Sequence, residues 1–557
     1  MNRISVPFCQ IPGWMARPLL ALPSLWLGLA ILAGAHADQP SHYHVIQPET
    51  GGVLPRPYIT SMTRTQDVVL QWVGKRGPYQ VEQSDALSQG NWSAVGQPTT
   101  NLILSLPGTN NSAFFRVSGP AAHFAGADVC ESCHAQTVLN WSDTHHAGAF
   151  ETLKAAHQDK NPECLPCHVV GYGKESGFKD EATTSLLAGV QCENCHGPAA
   201  EHAADPANLS KRPILERAST VCGGCHTGYH HPTYDEWTSS GHSTVTPDVA
   251  SSFQSGGAAR IQACGSCHSG EARLISQANL ERAPDNQRPV PTAADASFVG
   301  VSCAVCHDPH DITGNLHMLR NPMHSMVPFS YSTSATNSFA AQYDPQVNLC
   351  GQCHNLRGAS WRDTSRPPHH SPQYNILIGD GGVTDPSIPA PQAQHRDLPN
   401  QCADCHMHAV SPTAPSATDP VGTGHSFAVN DQACEQCHLA GEAASRRQTA
   451  GIELQVQMIS VVNGLNNWAV NKSSLGSKYG KLAWEYTTPG EISNPSADAK
   501  VVGPTTAEQS AVPDNIKQAR YNLYLVFHDN SKGVHNLPYE LYLLTNSINK
   551  VNIELSR

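Results

Sequence analysis

The pattern Cys-x-x-Cys-His occurs nine times in this chain and accounts for every cysteine but one. We number these motifs 1 to 9 in chain order. Their cysteines are Cys130/Cys133, Cys164/Cys167, Cys192/Cys195, Cys222/Cys225, Cys264/Cys267, Cys303/Cys306, Cys350/Cys353, Cys402/Cys405 and Cys434/Cys437. Their histidines are His134, His168, His196, His226, His268, His307, His354, His406 and His438. At this spacing, two thiols can form thioether bonds to a porphyrin while the imidazole binds its iron, which is the attachment chemistry of c-type haem.

Zinc sites and redox-active dithiols are the alternative uses of paired cysteines. A zinc site combines two such pairs, or one pair with two spaced histidines, and needs no histidine directly after the second cysteine. Histidine makes up 30 of the 557 residues, yet it follows all nine pairs. A redox dithiol needs one motif rather than nine. The pattern therefore predicts nine covalently bound haem c groups.

The second axial ligand decides what each haem can do, because an iron with an open position can bind a substrate and a closed iron transfers electrons. Twenty histidines lie outside the motifs beyond residue 37, against six methionines. From local sequence context, we expect second ligands at His146, His202, His231, His242, His310, His370, His425 and His535. Three of these belong to adjacent pairs, His145/His146, His230/His231 and His369/His370, and either member of a pair fits. The weaker candidates are His123, His157, His317, His324, His395, His408 and His528.

The first 37 residues are typical of a secretory signal. Arg3 and Arg17 precede an apolar run over 18–34, and Ala35 and Ala37, on either side of His36, offer a cleavage site. Cleavage would also remove Cys9, the one cysteine outside the motifs. An uncleaved N-terminal anchor is the alternative. We therefore expect a periplasmic or extracellular protein with no transmembrane span after cleavage, because no later segment reaches the ~20 apolar residues that a span needs.

The composition is poor in the residues of a conventional core. Aromatic residues make up only 6% of the chain, and it contains 43 glycines and 41 prolines. Buried porphyrins would provide the missing apolar volume, so short helices and irregular loops are expected around the motifs. The net charge is −12, and the sequence contains no lysine- or arginine-rich patch of the kind that binds nucleic acid. This negative charge suits a positively charged redox partner, such as another cytochrome or a quinol-linked donor, and equally suits ordinary solubility. The sequence does not predict the oligomeric state.

Two regions without motifs flank the motifs. Predicted strands at 68–72, 79–83, 102–106 and 114–117 place a small β-sandwich similar to fibronectin type III modules within 38–122. It could dock a partner or only pack against the rest. Within 441–557 we expect three helices: one with Leu454, Met458, Val461, Leu465 and Trp468 on one face, a second from near Pro513 to Gly533, and a third from Asn536. The predicted fold is mainly α and irregular, wrapped around haem, with this N-terminal β-sandwich and long C-terminal helices.

The order of the motifs resembles two known families. The stretch 126–242, with "ADVCESCH", "GVQCENCHGPAAEH" and "HHPTYDEW", resembles the tetrahaem cytochromes that accept electrons from hydroxylamine oxidoreductase. The stretch from 264 onward, with "CADCHM", "GHSF" before "CEQCH" and "DNSKGVHN", is similar to pentahaem nitrite reductase and part of octahaem hydroxylamine oxidoreductase. This divides the haem region into 123–245, with four motifs, and 246–440, with five.

The second resemblance implies a catalytic, open haem at motif 5, with His268. The pentahaem reductases typically carry lysine at that position, which weakens a nitrite reductase assignment. The resemblance also implies that His535 closes a neighbouring haem. Nearby Arg273, Arg357, Arg362 and Arg366 could stabilise an anion, and Tyr374 or His370 could supply protons. Two functions stay open: an electron carrier with mostly bis-histidine haems, and a terminal reductase of nitrite, hydroxylamine or tetrathionate at one open haem. A third option is a conductor that docks to a surface through the β-module.

Overall fold

The computed structural model of the chain describes residues 44–45, 58–64, 67–73, 79–84, 92–99, 101, 103–107, 114–118, 123–213, 215–280, 282–311, 316–320, 349–398 and 402–557. The predicted signal at 1–37 and the candidate His324 lie outside these residues. Of the described helices, none is both long enough and apolar enough to cross a membrane.

Seven strands form two small sheets before the first motif. They are β1 (His44–Val45), β2 (Tyr58–Arg64), β3 (Asp67–Val73), β4 (Tyr79–Ser84), β5 (Ser93–Thr99), β6 (Ile103–Pro107) and β7 (Phe114–Ser118). The sheet orders are β1-β7-β4-β5 and β2-β3-β6, and every pairing is antiparallel except that of β1 with β7. Leu70, Trp72, Val81 and Phe115 are buried in one shared core, as alternating strands of two packed sheets require. The predicted β-sandwich is confirmed, whereas the strands β1, β2 and β5 were not predicted.

The helices around the motifs are mostly short. They span Ala127–Ser142, Ala149–Ala155, Leu165–His168, Glu181–Thr184, Cys192–His196, Ala200–Ala204, Thr220–Gly223, Thr233–Thr238, Pro247–His268, Gly270–Leu280, Ala293–Phe298, Cys303–Cys306, Gln373–Ile378, Cys402–His406 and Asp431–Cys434. Their apolar clusters are small; one groups Phe150, Leu153, Leu165 and Phe178. This agrees with the expected arrangement, in which loops and single helical turns surround a porphyrin.

Long helices follow the last motif. They span Glu442–Asn471, Asp514–Asp529 and Leu537–Ser556, with a short helix at Gly476–Tyr479. The Asn536 side chain accepts a hydrogen bond from the Tyr539 backbone amide (3.3 Å) and caps the last helix. The middle helix ends at Asp529, not at Gly533 as predicted, because Asn530 adopts the left-handed conformation (φ 56°). Asparagine tolerates that conformation better than most residues.

These helices enclose the largest apolar core of the described residues, which includes Leu465, Tyr524 and Leu543. The buried Arg520 guanidinium lies within it and donates to the carbonyls of Trp484 and Glu485 (both 2.8 Å) and to Gln509 Oε1 (3.0 Å). A buried cation needs such partners, since leaving it unpaired is costly. Leu356 and Ile376, which follow motif 7, join the same core. The C-terminal helices therefore support the chain beside that motif.

Candidate haem-binding sites

Each motif is held on one turn of helix or close to one. The helices Cys192–His196 and Cys402–His406 coincide with motifs 3 and 8. Residues three and four apart share one face of a helix, so both thiols and the imidazole are presented on the same side. In motif 1 the helical backbone is interrupted at His134 itself (φ −115°, ψ 35°).

Seven of the nine motif histidines face a second histidine ring at a nearly constant separation. The pairs and their ring-centroid distances are His196–His310 (6.0 Å), His226–His146 (6.1 Å), His268–His369 (5.9 Å), His307–His425 (6.2 Å), His354–His242 (6.2 Å), His406–His535 (6.3 Å) and His438–His395 (6.2 Å). Two imidazoles bound on opposite sides of one metal ion through ~2 Å bonds hold their centroids roughly 6 Å apart. The residues present therefore fit an iron between each pair.

The structure brings five of the expected second histidines to such positions: His146, His242, His310, His425 and His535. A sixth expected ligand, His231, also lies close to His226, with the two ring centroids 6.4 Å apart, so His146 and His231 both neighbour the same motif histidine. His202 stands on the helix Ala200–Ala204, and none of the described motif rings faces it at this distance.

Two positions differ from the sequence expectation. His369, not His370, lies opposite His268, and the weak candidate His395 lies opposite His438. His395 Nδ1 lies 2.6 Å from the Val534 carbonyl, a contact across 139 residues. No local pattern could reveal that contact, because the C-terminal region places the ring.

Hydrogen bonds at Nδ1 leave several rings with Nε2 as the metal-binding atom. The Nδ1 atoms of His168, His307, His395 and His406 lie 2.6–2.8 Å from the backbone carbonyls of Ala149, His317, Val534 and Phe427. A carbonyl only accepts, so Nδ1 carries the proton and the Nε2 lone pair is free to bind a metal. Such partners fix both the tautomer and the orientation of metal-binding histidines.

Burial keeps most of these imidazoles neutral. It lowers the pKa of His226 and of His242 to about 4, and that of His369 to about 3, with further lowering from neighbouring cationic groups. His535 differs: burial would lower its pKa, but the Asp529 carboxylate, 2.7 Å from Nδ1, raises it overall. A carboxylate behind a ligating histidine increases its basicity.

At motif 5, where the resemblance implies an open haem, the His369 ring lies opposite the His268 ring, and it would occupy the far side of an iron bound there. Arg357 Nη2 donates to the Ala263 carbonyl (2.9 Å), and its charge, after burial, helps to lower the pKa of His268. Tyr374 is buried, and its amide donates to the His354 carbonyl (3.0 Å) of motif 7.

Cysteines of different motifs lie next to one another. In five pairs the two thiols are close enough to shift each other's pKa: Cys130–Cys192, Cys167–Cys225, Cys222–Cys303, Cys267–Cys353 and Cys350–Cys402. The neighbouring Cys225 thiol lowers the pKa of Cys167 to about 7, and Cys167 in turn raises the pKa of Cys225. Further thiols lie close enough for their charges to interact, namely Cys195 with Cys222 and Cys225, Cys306 with Cys350 and Cys353, and Cys405 with Cys434 and Cys437.

These contacts join all nine motifs into one network. The main line runs 1-3-4-6-7-8-9, with motif 2 attached to motif 4 and motif 5 attached to motif 7. Within the described residues, motifs 8 and 9 are connected to the other motifs only through motif 7. Among the described residues, no histidine ring faces His134 of motif 1 or His168 of motif 2 at ~6 Å. His168 is nevertheless close to His231, because its charge, after burial, helps to lower the pKa of His231.

The motifs at the two ends of this line are more open to solvent than the others. Cys133 of motif 1 and Cys437 of motif 9 are exposed, whereas the remaining motif cysteines are half-buried. A terminal motif has a neighbouring motif on one side only, which leaves Cys133 and Cys437 more exposed than the other motif cysteines. Cys133 Sγ accepts a hydrogen bond from the adjacent Ser132 hydroxyl (3.8 Å), and Cys130 makes the contact from motif 1 to motif 3. Exposure does not prevent thioether formation, so Cys133 stays a predicted attachment residue.

Comparison with known proteins places this chain in a class. Residues 129–197 match the family described as cytochrome c554 and c-prime, and residues 391–553 match the cytochrome c552 family. Both halves of the expected resemblance are thereby confirmed. The chain is a multihaem c-type cytochrome, a class that carries electrons on covalently bound haem c.

Particular relatives cover only parts of it. Cytochrome c-554 of Nitrosomonas europaea is 37% identical over 92 residues, which is 14% of this chain and 39% of that protein. The polyhaem cytochrome OmcB of Geobacter sulfurreducens is 24% identical over 327 residues, 52% of this chain and 40% of its own length. The chain thus spans about two fifths of these relatives. The crystal structure of the outer cell wall cytochrome OcwA superposes with a TM-score of 0.49 at 18% identity, over 77% of this chain and 99% of that one.

Proposed function

We propose that this protein carries nine haem c groups and conducts electrons along the line of motifs 1-3-4-6-7-8-9. The observation that supports the proposal most directly is the series of neighbouring cysteines that links the motifs. Each motif cysteine would be bonded to the edge of its porphyrin, so neighbouring cysteines bring porphyrin edges close together. When bound, haem supplies an iron that alternates between the ferrous and ferric states.

The exposed cysteines support the same line of motifs as the electron path. Cys133 and Cys437 belong to motifs 1 and 9, the two ends of the line. A porphyrin edge bonded to an exposed cysteine would be accessible to a partner protein, so electrons could enter at one end and leave at the other.

The chain's own residues would set how each iron behaves. We assign the seven facing histidines as second axial ligands of motifs 3 to 9, and His231 as the second ligand of motif 2, which leaves His146 for motif 4. Two histidines per iron close it to exogenous ligands and favour electron transfer. The Nδ1 partners, which are backbone carbonyls at His168, His307, His395 and His406 and the Asp529 carboxylate at His535, would tune the iron potentials.

Motif 1 carries the competing function. His134 has no facing ring among the described residues, so a reductase of a small nitrogen or sulfur species would use this haem. It would not use motif 5, where His369 faces His268. We place the protein outside the cytoplasm, where haem is attached, with other redox proteins as partners. The signal-like sequence at 1–37 supports that location.

Carbon monoxide titration of the fully reduced protein tests the ligand assignment. We expect a Soret change from no more than one haem in nine. Replacing His369 with Ala should add one carbon monoxide site, whereas His370→Ala, the matched control, should add none. Several reactive haems in the wild type, or an unchanged stoichiometry in His369→Ala, would overturn the assignment.

Voltammetry of the protein tethered at one end tests the path. Leu439 lies beside motif 9 and is 72% exposed, so Leu439→Cys gives an attachment point on gold. Removing motif 7 with Cys350→Ala and Cys353→Ala should leave only motifs 8 and 9 in fast exchange with the electrode. Removing motif 5 with Cys264→Ala and Cys267→Ala, the matched control, should leave all eight remaining haems in exchange. Equal losses from both variants would contradict the proposed path.

A further inference from the structure

Three side chains that do not belong to the facing histidine pairs come together at one place. His370 Nε2 lies 3.1 Å from Glu491 Oε1, and His528 Nε2 lies 3.2 Å from Glu491 Oε2. The ligand atoms of all three residues lie within 4.8 Å of one another. They come from three separate segments: the loop after motif 7, the loop before the helix Asp514–Asp529, and that helix itself.

The hydrogen bonding of His528 makes this cluster unusual. Its Nδ1 lies 2.8 Å from the Pro368 carbonyl, so Nδ1 carries the proton of the neutral ring. The unprotonated Nε2 then faces a carboxylate oxygen, and two lone pairs face each other. Such a contact is favourable only with a second proton or a metal cation between the two atoms. The His528 side chain is only 1% exposed, and burying an imidazolium is costly.

The second histidine is placed to share an ion with the first. The His370 and His528 rings lie 3.9 Å apart with an angle of 31° between their planes. Two neutral rings in this arrangement can direct their Nε2 lone pairs at one ion. Glu491 then contributes the negative charge, and one cation satisfies all three groups.

We propose that His370, Glu491 and His528 bind one divalent transition-metal ion of the zinc class. Two imidazoles and one carboxylate suit zinc and its first-row neighbours, whereas calcium and magnesium prefer oxygen ligands throughout. His370 and Glu491 are exposed, so the ion enters from solvent and keeps water in its remaining positions. The ion would tie the helix Asp514–Asp529 to the loop that carries His369. The site does not depend on the coordination proposed for the haems.

Zinc binding to the full-length haem-loaded protein tests the site. The protein is treated with a chelator, desalted and titrated calorimetrically with zinc chloride, and the zinc-to-iron ratio is measured after gel filtration. We expect one tight site per chain that excess calcium does not displace. Glu491→Gln should weaken it by more than the ~10- to 100-fold that loss of an outer-shell partner costs.

Two further variants keep the result interpretable. His370→Gln alters a second exposed ligand and should weaken zinc binding as Glu491→Gln does. Glu442→Gln, which alters another glutamate at the surface, paired with Arg446, should leave zinc binding unchanged. Haem content and visible spectrum report whether each variant is folded. Equal zinc affinity in the wild type and a correctly folded Glu491→Gln would mean that the cluster is an imidazolium–carboxylate ion pair only.

Discussion

The haem-bearing stretch and the C-terminal helices reach a folded state by different means. Over residues 123–438 the chain forms short helices with small apolar clusters, such as that around Phe150 and Phe178. Over 442–557 it forms helices of 30, 16 and 20 residues around one continuous apolar core. We expect the first region to take its order from haem groups held by its cysteines and histidines. We expect the second to take its order mainly from side-chain packing.

Withholding haem should separate the two regions most sharply. Full-length chain produced without haem attachment should lose ordered structure over 123–438, because the porphyrins that complete its core are missing. The helices from 442 onward should stay protected. Limited proteolysis followed by mass spectrometry measures this, and equal protection of both regions would remove the contrast.

Removing a buried charge from the C-terminal core should have the next largest effect on stability. Arg520→Met would leave three buried acceptors, the Trp484 and Glu485 carbonyls and Gln509 Oε1, without their donor. Because each unsatisfied buried group costs ~1–3 kcal/mol, we expect a loss of ~3–5 kcal/mol. Hydrogen exchange in the helix Asp514–Asp529 measures it. Arg446→Met, which breaks an exposed pair with Glu442, is the control and should cost no more than ~1 kcal/mol. Similar losses would mean that Arg520 is not a structural centre.

Apolar packing should show a somewhat smaller effect. Leu465 is fully buried in this core, so Leu465→Ala should destabilise the C-terminal helices by ~2–5 kcal/mol. Ile459 lies on the same helix but is 51% exposed, and Ile459→Ala should be nearly neutral. Amide exchange in the helix Glu442–Asn471 distinguishes the two. A neutral Leu465→Ala would indicate that haem, not side-chain packing, also orders this end.

The smallest effect concerns an exposed carboxylate. Hydrogen bonds from Lys478, Thr505 and Tyr479 lower the pKa of Glu508 to about 2. A lowered folded-state pKa stabilises the protein above the ordinary value of 4.5, and that contribution is lost as the pH falls towards 2. The difference in melting temperature between wild type and Glu508→Gln should therefore shrink from pH 6 to pH 2. A constant difference would exclude the ionised form as its source.

The sequence predicted the two kinds of region unequally well. The faces of the C-terminal helices could be read directly, because Leu454, Val461 and Leu465 recur with the helical period. Only the helix end at Asn530 was misplaced, since Gly533 is the commoner terminator. Among the strands, β1, β2 and β5 were missed; β5 carries Gly96 and Pro98, which weaken a strand pattern.

The candidate haem ligands also differ in how well the sequence predicts them. Motif cysteines and histidines are identified by local spacing, so every attachment position can be predicted, although spacing could not show that Cys133 is exposed. The facing histidines depend on folding over long distances. His369 and His370 are adjacent in sequence, and only the structure distinguishes the ring opposite His268 from the one beside Glu491. His395 carries no local signal at all.

The facing rings also cross the boundary that the two family resemblances suggest at 245. His310 lies opposite His196, and His242 lies opposite His354. During export from the N-terminus, a haem joined to motif 3 would lack its second ligand until a further 114 residues had crossed. Motif 8 would wait for His535, near the end of the chain. Maturation would thus pass through a series of reactive, half-ligated intermediates, each closed only when a distant part of the polypeptide arrives.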